Sequence, residues 1–237
     1  MERLDVLTIG GGAAGSEATF RIGETKTLTV GLVERDKLGG ECNNYGCVPT
    51  KAMLRAAKAV HEARNAEVYG IRVRDIDVDF PKVMERVRGL VAHFTRHGPG
   101  PFEEIGVKVW LGPTARFTAP GEVEFDDGTR VRAKQVIVAT GTKAAVPDID
   151  GLRDAGFWTN EEAIDPPALP GSIAIVGGGP IGVEFAQIFA RLGSQVTVIE
   201  SLDRILDPED PASSAALHEA LESDGVTIRT GATLERV

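Results

Sequence analysis

Two short glycine stretches constrain this chain more than anything else in it. Gly10-x-Gly12-x-x-Gly15 follows the apolar run at 4–9, and Gly177-x-Gly179-x-x-Gly182 follows the apolar run at 173–176. Each run reads as a buried strand, and each glycine stretch leads into a helical pattern, at 16–23 and 183–192. Acids end the following strands: Glu34 closes 30–34 and Glu200 closes 195–200. In such a turn the first glycine makes the tight bend, the second lets backbone approach a pyrophosphate, and the third lets helix pack on strand. The helix N-terminus offers free N–H groups and partial positive charge to phosphate. The sequence therefore predicts an α/β chain with two Rossmann-like dinucleotide-binding domains, the second incomplete, as an internal repeat running from Gly10 to Gly177.

One isolated glycine motif is weak support, because glycine loops also serve as plain turns. Two matches, each with strand, helix and acid at the expected offsets, are much stronger. A carboxylate at Glu34 or Glu200 would accept hydrogen bonds from a ribose. At Glu200 it favours NAD and repels the extra phosphate of NADP. Two nucleotide sites in one chain suggest electron transfer between two cofactors.

Between the repeats, 39–49 reads as a Gly- and Asn-rich loop carrying Cys42 and Cys47, the only cysteines. Helices are expected from about Pro49 to Asn65 and over 81–97. Short strands follow at 107–111, 115–118, 122–125 and 130–132, with Asp127-Gly128 as a turn, and another strand over 134–141. A first domain at 1–146, including a small β-meander at about 107–133, and a second at 147–237 are the expected division. A helix over 211–223 and a strand at 226–229 complete the reading.

Composition narrows the function classes. The 42% hydrophobic and 26% charged residues allow a buried core and argue against disorder. The formal charge is −9 with no basic run, so nucleic acid and anionic membrane are poor partners. No signal-like N-terminus or spanning apolar stretch is read, so a cytoplasmic protein is expected. Two cysteines five apart in such a protein suggest redox or metal chemistry. Zinc needs about four ligands, and His61, His93, His97 and His218 are scattered, so no metal site is expected. A disulfide closing so small a loop is easily reduced, and a following helix N-terminus would favour a thiolate.

The stretch Gly39-Gly40-Glu41-Cys42-Asn43-Asn44-Tyr45-Gly46-Cys47-Val48-Pro49-Thr50-Lys51 resembles the active-site signature of the class I pyridine nucleotide-disulfide oxidoreductases. That family includes lipoamide dehydrogenase, glutathione reductase and mercuric reductase. Asn43 stands where the signature has an aliphatic residue, and Glu41 where Thr is frequent. The resemblance extends over the whole chain, through both glycine turns and Ala139-Thr140-Gly141. The segment 177–187, with Asn44-Tyr45-Gly46, leans toward the mercuric-reductase-like branch.

The resemblance implies FAD at Gly10, Gly12, Ala14, Gly15, Glu34 and Gly40, with Ala115, Thr140 and Gly141 completing its site. It implies NAD at Gly177, Gly179, Ile181, Gly182 and Glu200. Cys47 would form the flavin-side thiolate and Cys42 the interchange thiol. Lys51 would approach the flavin and pair with Glu184. Electrons would run between NAD(H), FAD and a Cys42–Cys47 disulfide, to or from a disulfide or mercuric-type acceptor, in either direction. Whole family members are about twice as long, homodimeric, and carry a C-terminal interface domain with a catalytic His-Glu pair. The chain is thus expected to be an N-terminal portion that does not complete turnover alone. His218 and Glu222 read as a solvated helix face. The alternative from a different class is a non-catalytic FAD/NAD-binding module or redox sensor.

Overall fold

The computed structural model describes residues 1–237. In chain order the elements are β1 (Glu2–Ile9), α1 (Ala13–Glu24), β2 (Val30–Glu34), α2 (Gly40–Asn44) and α3 (Cys47–Arg64). A 3-10 turn at Ala66–Tyr69 precedes α4 (Phe80–Thr95), α5 (Gly100–Glu104), β3 (Lys108–Leu111), β4 (Ala115–Ala119), β5 (Glu122–Phe125) and β6 (Arg130–Val138). Then come α6 (Leu152–Ala155), α7 (Asn160–Ala163), β7 (Ser172–Val176), α8 (Pro180–Leu192), β8 (Gln195–Ile199), α9 (Pro211–Ser223) and β9 (Thr227–Arg229).

Two compact units result. The first comprises Met1–Val48 with Leu90–Lys143, the second Pro49–Gly89 with Ala144–Val237. Residues 49–89 thus fold with the second unit and interrupt the 1–146 segment. Side-chain ties within that unit account for it: Lys51 to Glu184, His61 to Asp224 and Arg88 to Asp165.

The first unit holds a six-stranded sheet of order β3-β2-β1-β6-β5-β4. Strands β3, β2, β1 and β6 run parallel, and β4 and β5 are antiparallel additions at one edge. Apolar side chains are buried in two clusters, one around Leu7, Val33, Phe125 and Val131, the other around Val6, Leu32 and Phe102. Burial on both faces explains why the parallel strands read as continuous apolar runs. Thr8 and Thr19 are buried together, and their hydroxyls bond at 2.8 Å, joining β1 to α1.

Three local expectations need correction. The strands expected at 130–132 and 134–141 are one strand, β6, which stops before Ala139-Thr140-Gly141. Its alternation simply continues through Ala133, and it pairs with β1 along its length while β5 pairs with its start. Strand β3 belongs to the parallel sheet through β2, so the meander begins at Ala115. The cysteine segment is not a loop throughout. Gly39 and Gly40 take φ of +90° and +54°, turning the chain into helix α2, and α3 begins at Cys47 itself.

The second unit carries a three-stranded parallel sheet, β7-β8-β9. Helix α8 packs on it through Val183, Phe185, Ala186, Ile188 and Phe189, all buried. Asp210 caps α9 by accepting from Ala212 and Ser213, with Pro211 at the first helical position. No helix is long and apolar enough to cross a membrane.

Candidate functional site

The two glycine turns share the same backbone bond at the first glycine and the same close contact at the third. Gly10 and Gly177 take φ of +103° and +105°, a left-handed conformation that side-chain-bearing residues rarely adopt. Their N–H groups donate to Val33 O and Ile199 O, both at 2.8 Å. A Cβ on Gly15 would lie 1.8 Å from Gly10 O, and one on Gly182 would lie 2.0 Å from Gly177 O. The third glycine is therefore required by helix–strand contact in both places. Gly12 and Gly179 are the N-caps of α1 and α8, and neither helix has a side-chain cap. Their first-turn N–H groups remain available to an anion.

The acids behave alike as well. Gly11 N–H donates to Glu34 Oε2 at 2.6 Å and Asp36 N–H to Oε1 at 2.8 Å. Gly178 N–H donates to Glu200 Oε2 at 2.6 Å and Leu202 N–H to Oε1 at 2.9 Å. Each carboxylate thus pins its glycine turn before any ribose arrives. About four acceptor positions per carboxylate leave room for further hydroxyls. Burial pushes the Glu200 carboxyl up, but the N–H groups of Leu202 and Gly178 and the Ser201 hydroxyl outweigh it and hold the group below its ordinary value.

Beside the first turn lies a cavity of about 330 Å³ lined by Gly10, Glu34, Ala115, Thr140 and Gly141, with Arg35 and Lys143. Five expected cofactor residues therefore line one cavity. Arg35 and Lys143 were not anticipated, because a lone cation just past a strand or in a loop carries no motif. Gly40 comes against Gly12: a Cβ on Gly40 would lie 2.6 Å from Gly12 Cα. That approach brings the cysteine segment onto the glycine turn. Ala14, in the first turn of α1, is exposed, as is Ile181 in the first turn of α8. An uncapped helix start, a carboxylate at the strand end and a glycine-lined cleft fit a dinucleotide at the first turn. The second turn repeats the first two features.

Cys42 lies within α2 and Cys47 opens α3, and both are exposed thiols. Gly39 N–H donates to Gly11 O at 2.9 Å. The buried Asn44 amide donates to Leu38 O and Gly40 O, and Tyr45 OH donates to Asp36 Oδ2 at 2.7 Å. Within the second unit, Lys51 Nζ donates to Glu184 Oε1 at 2.5 Å. His218 and Glu222 stand 3.5 Å apart on α9, the histidine half-buried and the glutamate exposed.

A further polar centre was missed altogether. Asp224, 3% exposed at the side chain, accepts from Arg191 Nε at 2.8 Å and Gln187 Nε2 at 3.3 Å, and its other oxygen lies 2.9 Å from His61 Nδ1. Its partners come from α3 and α8, too far apart in sequence for any spacing rule.

The family model for pyridine nucleotide-disulphide oxidoreductases matches residues 4–237. The chain belongs to that family. Members work with FAD and a pyridine nucleotide, in keeping with two dinucleotide turns and a cysteine pair. The chain is 35% identical to dihydrolipoyl dehydrogenase of Zymomonas mobilis, over all of this chain and 51% of that protein. It is 33% identical to mercuric reductase of Bacillus cereus, over 98% of this chain and 37% of that protein. Among solved structures, the HOCl-induced flavoprotein disulfide reductase RclA from Escherichia coli superposes with a TM-score of 0.83 at 27% identity. That match covers 98% of this chain and 50% of RclA. The chain spans about half the length of the dehydrogenase and of RclA, and less of the mercuric reductase.

Proposed function

We propose that this oxidoreductase chain holds FAD at the first glycine turn and NAD at the second, with Cys42 and Cys47 as its redox-active pair. The observation that carries the reading is the duplicated turn, with matching glycine N–H and carboxylate hydrogen bonds in both copies, and with the cysteine segment tied to one copy by Gly39 N–H on Gly11 O and by the approach of Gly40 to Gly12. Gly10, Gly12, Gly15 and the start of α1 would take the pyrophosphate. Glu34 would take a ribose, and the cavity lined by Ala115, Thr140 and Gly141 would take the adenosine end. Gly177, Gly179, Gly182 and Glu200 would serve the nicotinamide nucleotide in the same way.

When bound, FAD supplies a two-electron carrier between a hydride donor and a thiol pair. The rest falls to the chain. Cys42, exposed in α2, is placed to meet an acceptor. Cys47 stands where the dipole of α3 offers partial positive charge. Lys51, one turn further along α3, is held by Glu184. Glu200 presents a carboxylate that hydroxyls can approach and a phosphate cannot, which selects NAD over NADP. The relatives named above take a dihydrolipoyl group or mercuric ion, and a disulfide or a soft metal ion is the acceptor class proposed here.

The test is spectroscopic. The chain loaded with FAD should show flavin absorbance and, after two-electron reduction, long-wavelength absorbance that vanishes in Cys47→Ser but survives in Cys42→Ser. NAD should bind more tightly than NADP, with the preference lost in Glu200→Ala. A chain that takes up no flavin, or whose reduced spectrum ignores Cys47, rules the reading out.

A further inference from the structure

Side chains tie down the joint between the two cysteines, and neither glycine turn explains them. Cys42 sits in α2 and Cys47 opens α3, so the joint is Tyr45-Gly46. Tyr45 OH donates to Asp36 Oδ2 at 2.7 Å, and Lys37 Nζ lies 4.9 Å from the ring centroid. The neighbouring Tyr45 phenol raises the lysine above its ordinary value. Burial and the bond to Asp36 push the phenol up, against the pull of Lys37, so Tyr45 remains a protonated donor. Asp36 N–H in turn donates to Glu34 Oε1, and Glu34 Oε2 accepts from Gly11 N–H. One path of hydrogen bonds and backbone therefore runs from the first glycine turn to the joint. Asn44, just before the joint, is anchored to Leu38 O and Gly40 O.

We propose that Tyr45 is a positioning residue for the Cys42–Cys47 pair, fixing the joint between the two cysteine-bearing helices through Asp36. This rests on the proposed redox role of the pair and deepens it. Two thiols on either side of a free joint meet only in a fraction of its conformations. A held joint keeps each thiol at a high effective concentration beside the other. Releasing it weakens the intramolecular disulfide relative to the dithiol. A charge-assisted bond at a partly exposed site sets the size of the effect, about three- to tenfold in the equilibrium constant.

The experiment equilibrates the 237-residue chain with mixtures of glutathione and glutathione disulfide. The two thiols give up two electrons and two protons. One intramolecular S–S bond forms, the glutathione S–S bond breaks, and two glutathione molecules are released. Acid quenching, alkylation and mass spectrometry then read the oxidised fraction. Tyr45→Phe and Asp36→Asn should each shift the constant about three- to tenfold toward the dithiol, and the double variant no further than the larger single change. Single variants within about twofold of wild type, a shift toward the disulfide, or additive effects overturn the proposal. Asp36 is exposed, so its variant decides the matter if Tyr45→Phe loses the native Trp110 emission. A wild-type chain that forms no Cys42–Cys47 disulfide at any ratio removes the redox reading as well. A wild-type disulfide indifferent to both variants removes only the role of Tyr45.

Discussion

Gly15→Ala sets two effects of opposite sign against each other. Gly15 lies in the first turn of α1, where alanine would ordinarily gain about 1 kcal/mol in helix propensity. The new Cβ, however, would stand 1.8 Å from Gly10 O and 3.2 Å from the Ala139 side chain. Ordinary contact demands a retreat of roughly 1.5 Å. Gly10 cannot supply it, because its φ is +103° and its N–H is held by Val33 O. Overpacking against backbone costs about 3 kcal/mol or more, so the net loss should be about 2 kcal/mol or more. Gly89 is the control: it lies inside α4, is exposed, and a Cβ there meets nothing within 4 Å. Gly89→Ala should stabilise by about 0.5–1 kcal/mol. Each unit contains one tryptophan, Trp110 in the first and Trp158 in the second. Urea unfolding in single-tryptophan backgrounds therefore reads each substitution in its own unit. The Trp110 midpoint should fall by about 1 M in Gly15→Ala, and the Trp158 midpoint should rise in Gly89→Ala. A Trp110 midpoint that stays or rises in Gly15→Ala refutes the steric argument.

Gly10→Ala should cost the first unit about 3 kcal/mol or more, whereas Gly177→Ala should cost the second only about 1–2, the left-handed strain alone. A Cβ on Gly10 would lie 2.3 Å from Ala139 O, while one on Gly177 meets open space; equal losses in the same urea assay would contradict this. Because the folded Glu200 carboxyl titrates below its ordinary value, its contribution to stability is present above the unfolded value and lost as pH falls through the folded one. The wild-type advantage over Glu200→Gln, followed by Trp158, should therefore shrink on acidification below about pH 4; an advantage that persists there would count against the hydrogen-bond account. Asp224→Ala should destabilise the second unit by about 3 kcal/mol, since it strands the half-buried Arg191 guanidinium. Thermal unfolding indistinguishable from wild type would show that the cluster is solvated. Lys51→Met should change stability by less than about 1 kcal/mol, because Lys51 is 58% exposed; a larger loss would mark the Lys51–Glu184 pair as structural.

The two glycine turns were legible because every requirement they meet is local. A left-handed φ at Gly10, a missing Cβ at Gly15 and an uncapped helix start at Gly12 are each written in a few consecutive residues. The α/β class followed from the same stretches, and helix α9 was placed to the residue because Pro211 and Asp210 announce it. Resemblance, not spacing, linked Lys51 to Glu184, which lie 133 residues apart.

Other features were decided only when the chain closed on itself. Whether 130–138 is one strand or two depended on β1 lying alongside to accept all of it. The start of the cysteine segment is fixed by Gly39 N–H on Gly11 O and by the close approach of Gly40 to Gly12, partners some 28 residues back in the chain. Asp36 meets Tyr45, and Asp224 collects His61, Gln187 and Arg191, through packing that no sequence period encodes. A conformational requirement is carried by the residue that meets it, so it can be read in one dimension. A hydrogen bond between distant side chains exists only once the backbone has brought both ends within about 3 Å, and that distance is a property of the fold.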